Sequence, residues 1–134
     1  MSKKSPRRLM VEMAMLKILN SRIGAENGMT REELLMELRR RGFSEFDPEL
    51  MHLDDRDMRK ALESIRLHEA EGAYLISIRY EKRWVYCRAR DMAEFREAMK
   101  PEWSRAITMI SRVKNQINRA YPELLGQLEL QEGV

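Results

Sequence analysis

Residues 54–90, DDRDMRKALESIRLHEAEGAYLISIRYEKRWVYCRAR, decide the fold. The first half reads as a helix opening at Asp54 or Asp55, where acids in the first turn oppose the positive end of the helix dipole. Met58, Ala61, Leu62 and Ile65 recur at helical spacing and form its inner face. Arg56, Lys60, Glu63 and Leu67 lie opposite, with Arg59 and Arg66 on the flank. Gly72 then makes a tight junction. Tyr74–Tyr80 and Trp84–Arg88 follow, two runs of β-branched and aromatic residues that read as strands joined at a charged tip, Glu81-Lys82-Arg83. Alternation places Ile76, Ile78 and Tyr80 on one face and Leu75, Ser77 and Arg79 on the other.

Charge is uneven along this stretch. From Arg79 to Arg90 there are five basic residues and one acid. A basic ribbon bearing Tyr80, Trp84 and Tyr86 suits a phosphate backbone or a minor groove. The same residues would also serve a sheet edge whose aromatics pack inward while lysine and arginine blunt the exposed strand. On the helix, arginine reads guanine edges and lysine or arginine holds phosphates. Asp54, Asp55 and Asp57 oppose that use, and a charged outer face is also what a merely solvated helix carries. The expected DNA-contacting set is Arg56, Arg59, Lys60 and Arg66 on the helix, with Arg79, Lys82, Arg83 and Arg88 on the hairpin.

N-terminal to this stretch, residues 1–8 read as a flexible basic arm with Lys3, Lys4, Arg7 and Arg8. Leu9–Arg22 is apolar nearly all round its wheel, which predicts a strut wrapped by other elements. Gly24–Gly28 is a loop. Thr30 and Glu33 form a capping box that opens a second helix, expected to run to Arg41 and stop at Gly42. Leu34, Leu35 and Leu38 are its buried stripe. Arg39, Arg40 and Arg41 crowd its last turn, where cations suit the helix dipole and could also meet a phosphate. Phe43–Leu53 then spans eleven residues, against the three or four of a minimal helix-turn-helix; Glu49–His52 is read there as one extra helical turn.

C-terminal to it, Asp91–Met99 reads as a short helix with Met92, Phe95 and Met99 inward. Pro101 is expected to open a last helix over residues 101–125. Trp103, Ile107, Ile110, Ile117, Tyr121 and Leu124 follow a three-four spacing with Lys114 in the same register, and Ala106, Val113 and Ala120 widen the stripe. Such a stripe predicts a homodimer, the first five of these residues being its contacts, or a helix packed on its own core. Residues 126–134 read as a flexible tail. Within it Gln127-Leu128-Glu129-Leu130 resembles the sliding-clamp-binding peptide of bacteria, with Gln131 where that peptide has phenylalanine.

The run from Arg56 to Arg66, Gly72, two strands and then Arg90-Asp91-Met92-Ala93-Glu94-Phe95 together resemble a winged helix-turn-helix family common among phage and prophage proteins. The resemblance covers roughly residues 9–100 and lies in order and pattern; at Glu81–Tyr86 the chain departs from the glycine-tyrosine pair usual at the wing. It implies a mainly α fold with a small β-hairpin wing, plus a long C-terminal helix. It also implies binding to double-stranded DNA in phage gene control or replication.

Composition bounds the alternatives. The chain has 134 residues, 43% hydrophobic and 35% charged, with a formal net charge of +3, enough for one core and an appendage. The single cysteine, Cys87, cannot form an internal disulfide and suits a reducing, cytoplasmic setting. No apolar run approaches the roughly 20 residues of a membrane span, and no membrane partner is expected. His52 and His68 lack metal-ligand spacing, and there is no phosphate loop or nucleophile elbow. No enzyme and no cofactor are therefore expected; the alternative use of Asp54, Asp55 and Asp57 is a metal site. The rival to DNA binding is a protein-interaction adaptor built on the same scaffold.

Overall fold

The computed structural model describes residues 5–44 and 52–132, and of residues 42–44 and 129–132 the backbone alone. Five helices and one hairpin follow in the order α1 (Pro6–Asn20), α2 (Arg31–Ser44), α3 (Asp55–His68), β1 (Leu75–Tyr80), β2 (Arg83–Arg88), α4 (Met92–Ala120) and α5 (Pro122–Glu132). Short 3-10 turns lie at Ala25–Asn27 and Glu71–Tyr74. The result is a mainly helical chain with a two-stranded hairpin after α3 and a long C-terminal helix, a winged-helix layout. It divides into two compact units, Met1–Ala98 and Met99–Val134.

Local chemistry sets the helix ends of the first unit. Ser5 accepts from the Arg8 amide and Pro6 follows it, so α1 begins inside the stretch expected to be an arm. Thr30 and Glu33 cap each other: the Glu33 amide donates to Thr30 Oγ1 at 3.2 Å and the Thr30 amide to Glu33 Oε1 at 3.1 Å. The Thr30 amide, then its hydroxyl, hold the Glu33 carboxyl below its ordinary range. α2 runs past Gly42 to Ser44. Its terminal arginines have local partners. Arg40 and Arg41 grip Glu37 and hold its carboxyl down to about 2, and Arg39 Nε donates to the Leu53 carbonyl at 2.8 Å. The extra turn expected around Glu49 lies largely outside the described residues.

The core forms where α1, α2, α3 and the base of β1 meet. Val11, Met15, Ile18 and Leu19 of α1 pack with Leu34 and Leu38 of α2, the α3 stripe Met58, Ala61, Leu62 and Ile65, and Leu75. The helical spacing of the α3 stripe is thus realised in full. α1 is not wrapped on all sides: Leu9 and Met13 are 45% and 65% exposed, because its partners in this unit cover one face only.

The hairpin register pairs Leu75 with Arg88, Ser77 with Tyr86, Arg79 with Trp84 and Tyr80 with Arg83. Opposed residues share a face, so Leu75, Ser77, Arg79, Trp84, Tyr86 and Arg88 lie on one side and Ile76, Ile78, Tyr80, Arg83, Val85 and Cys87 on the other. Both faces are buried at the base. A partial third strand joins β2 through two bonds between Met29 and Tyr86, of 2.9 and 2.7 Å. Cys87 is fully buried, and that burial pushes its thiol up to about 11, which keeps it protonated and unreactive at neutral pH.

Arg83 belongs to β2, so the tip is a two-residue turn. Glu81 and Lys82 sit at φ 48° and 67°, the left-handed region that asparagine and glycine fill in such turns. Two ordinary side chains there cost roughly 1–2 kcal/mol each. Replacing them with Asn-Gly (E81N/K82G) is expected to raise the melting temperature of this unit by several degrees; an unchanged or lower value would refute stored strain at the tip.

α4 begins at Met92, nine residues before the proline expected to open it, and Pro101 lies inside the helix. The Glu97 carbonyl, left without its usual donor, is on an exposed residue and can bond water. Asp91 caps this helix by accepting from the Glu94 amide at 2.8 Å. Ala98 is buried on its first turns, whereas Met92 is 75% exposed rather than inward. In the second unit, α4 continues to Ala120 and α5 occupies most of the stretch expected to be a loose tail. Among the described residues no helix is long and apolar enough to cross a membrane.

Candidate nucleic-acid interface

α3 presents Arg56, Arg59, Lys60, Glu63 and Leu67 to solvent. Two of the three acids at its start are occupied. Asp54 is the N-cap and accepts from the Asp57 amide at 2.8 Å. Asp55 takes Arg59 Nε at 2.9 Å and Arg31 Nε at 3.1 Å. One carboxylate thus bridges the starts of α2 and α3, and its charge is met by two guanidinium groups. Exposed pairs of this kind contribute little stability; the consequence here is electrostatic, since the end of α3 bears less free negative charge than the sequence implies. Among the described residues no group of three or more histidines, cysteines or acids gathers to hold a metal.

Arg66 ties α3 to the hairpin. Its Nε donates to the Leu75 carbonyl at 3.2 Å, one terminal nitrogen donates to Ser77 Oγ at 3.1 Å, and the guanidinium stands 5.8 Å over the Tyr86 ring. It is a half-buried clamp, and its position fixes which side of the hairpin faces α3. That side carries Arg79 and Trp84 near the tip, both exposed, with Trp84 56% accessible. Lys82 and Arg83 are exposed at the turn itself.

Arg88 lies at the other end of the hairpin. It donates to Glu71 Oε2 at 2.6 Å and Asn20 Oδ1 at 3.0 Å, and stacks 4.6 Å over Tyr74. These contacts commit it to holding β2 against α1 and the turn after α3. Of the eight basic residues expected to meet DNA, the structure therefore brings six to open surface on α3 and the outer hairpin, and gives Arg66 and Arg88 fixed internal partners.

Two open grooves adjoin this surface. One, of about 280 Å³, is lined by Arg7, Arg8, Asp57 and Lys60 among others. The other, of about 480 Å³, lies between the start of α2 and the wing and is lined by Arg31, Glu32, Arg83 and Trp84 with Thr30 and Tyr86. Arg31 was invisible as a site residue in the sequence, where it is one cation after a cap; only the packing of α2 beside the wing gives it a place. Arg7 and Arg8 enter through the first turn of α1 and not from a loose arm.

Comparison of the chain with protein-family models, curated proteins and solved structures gives no match.

The surface offers guanidinium and ammonium groups and an exposed indole. Asp57, Glu63 and Glu81 stand among the cations, so the positive field is patterned and not uniform.

Proposed function

We propose that the chain is a cytoplasmic DNA-binding protein of winged-helix type, acting as a homodimer in phage-type gene control or replication. The observation that carries this is the Arg66 clamp, which sets Arg79 and Trp84 of the wing on the side of the hairpin that faces α3. α3 then addresses the major groove with Arg56, Arg59 and Lys60, while Lys82 and Arg83 hold phosphates. The strained tip supports the reading. Asn-Gly would suit the turn better, and a lysine retained there at a conformational cost has a use outside the fold.

Fluorescence anisotropy on duplex DNA at graded salt tests it. Binding is expected to weaken steeply with salt, and K82A/R83A to make the log–log slope less steep by roughly 2, with similar loss on every sequence. Arg59→Ala is expected to relax base preference at one position. Absence of duplex binding at low salt would transfer the case to the adaptor reading. The exposed apolar side chains of Leu67 and Trp84, with Asp57 and Glu63 exposed on α3, favour that reading, since they suit a protein partner.

A further inference from the structure

The second unit carries a charged surface distinct from α3 and the wing. Between Glu102 and Glu123 there is no acidic residue, while Arg105, Arg112, Lys114 and Arg119 are present. Three of these cations recur every seven residues. On a helix, seven residues are nearly two turns, so Arg105, Arg112 and Arg119 form one ridge with about 10.5 Å between neighbours. All three are exposed, and none is held in an ion pair among the described residues.

The apolar seam Trp103, Ile107, Ile110 and Ile117 occupies the opposite side. With the seam at positions a and d of a heptad, the arginines take f, the outermost place, within about 10° of the antipode of the seam at 100° per residue. A second copy seated on the seam would leave the ridge open.

Ordinary solvated helix faces alternate acids with bases, which keeps the surface mixed and supplies stabilising pairs three or four residues apart. This ridge has arginines separated by Thr108, Ser111, Asn115 and Gln116. Hydroxyl and amide side chains next to unpaired guanidinium groups are a set that contacts phosphate and sugar oxygens.

A membrane surface is the other anionic partner to weigh. An interfacial helix would bury the seam in the acyl boundary. That would hold the arginines out in water, on the side away from the headgroups, and would draw Lys114 toward hydrocarbon. The placement of charge favours nucleic acid.

We propose that the Arg105–Arg112–Arg119 ridge of α4 is a second DNA contact, binding the phosphate backbone of duplex DNA without sequence preference. This rests on the DNA-binding reading above and deepens it.

The test compares the full-length wild type, R105Q/R112Q/R119Q and K82A/R83A on two long duplexes of unrelated sequence. Anisotropy is read against salt, and sedimentation reports assembly. The ridge variant is expected to keep the wild-type sedimentation and to make the log–log slope less steep by roughly 2–3, equally on both duplexes. If that slope is unchanged while K82A/R83A alters it, the ridge is refuted and the wing reading stands. If the ridge variant alters it and K82A/R83A does not, the ridge stands and the wing reading falls. If the wild type binds neither duplex at low salt, both fall. Wild-type binding to phosphatidylserine–phosphatidylcholine vesicles that the ridge variant loses, with duplex binding intact, overturns the proposal in favour of a membrane contact.

Discussion

Gly72→Ala is expected to destabilise the first unit by about 3 kcal/mol or more, lowering its melting temperature by roughly 12–24 °C. The cause is a backbone contact. A Cβ at Gly72 would fall on the carbonyl of Ile65 and lie 3.2 Å from the Arg66 amide. Ile65 is fully buried, and its carbonyl accepts the bond from the Glu69 amide that closes α3, so it cannot swing aside as a side chain would. Gly72 is not among the residues with positive φ, so the requirement is for space and not for an unusual conformation. Either the end of α3 moves off the core, or the turn at Glu71–Tyr74 moves and carries β1 with it. Both would disturb the Arg66 contacts to Leu75 and Ser77, so any DNA affinity should fall with stability. Gly126→Ala is the control: nothing lies within 4 Å of a Cβ there, and in the interior of α5 the change should stabilise slightly. A G72A protein melting within 2–3 °C of wild type would refute the account.

The same junction shows why part of the fold is legible in the sequence. α3 combines three independent signals: an acidic cap, a stripe at positions 58, 61, 62 and 65, and a glycine after its end. The hairpin adds alternation of period two and a charged tip. When local signals agree, the element forms where they point. The segments read differently are those where one signal outweighed another. At the N-terminus the charge of Arg7 and Arg8 argued for an arm, while Ser5-Pro6 already marked a helix start. At Pro101, the tolerance of proline in a first turn argued for a helix start, whereas the freed carbonyl is on an exposed residue and the helix continues. At Leu9 and Met13, apolar character argued for burial, but the first unit supplies partners to one side of α1 only.

The candidate site was legible as a set of cations and not as an arrangement. Arg59 and Arg66 look alike on a helical wheel; Arg66 is inward because Ser77 and Tyr86, eleven and twenty residues on, come to meet it. Arg88 reads as one more wing cation until Asn20 and Glu71 appear beside it. The acids at the start of α3 read as repulsive until Arg31 is found against Asp55. In each case the deciding partner comes from another element, and sequence periodicity carries no information about it.

Placing glutamate at Ile107 and Ile110 together is expected to convert the proposed dimer to monomers, weakening association by roughly 10³-fold or more, about 4 kcal/mol. Trp103, Ile110 and Ile117 take the d positions of a heptad, and Ile107, Lys114 and Tyr121 the a positions. Trp103, Ile107 and Ile110 are 71%, 47% and 52% exposed in the single chain. Monomeric proteins rarely leave so continuous an apolar stripe in water. A coiled-coil pairing would cover it and would then bury four glutamates per dimer, a desolvation cost that Lys114, one turn beyond position 110, offsets only in part. The first unit should be unaffected, since its core contains none of these residues, and its melting transition provides the check that the variant is folded. Lys114 gives a second reading in the opposite direction. A lysine at a lowers stability while restricting the number of chains that can pair, so Lys114→Ile should tighten association and admit species larger than the dimer. Wild-type protein that sediments as a monomer at tens of micromolar, with α4 helical by circular dichroism, would leave the seam uncovered and end this account. Two half-sites spaced by one or more helical turns of DNA would lose their basis with it.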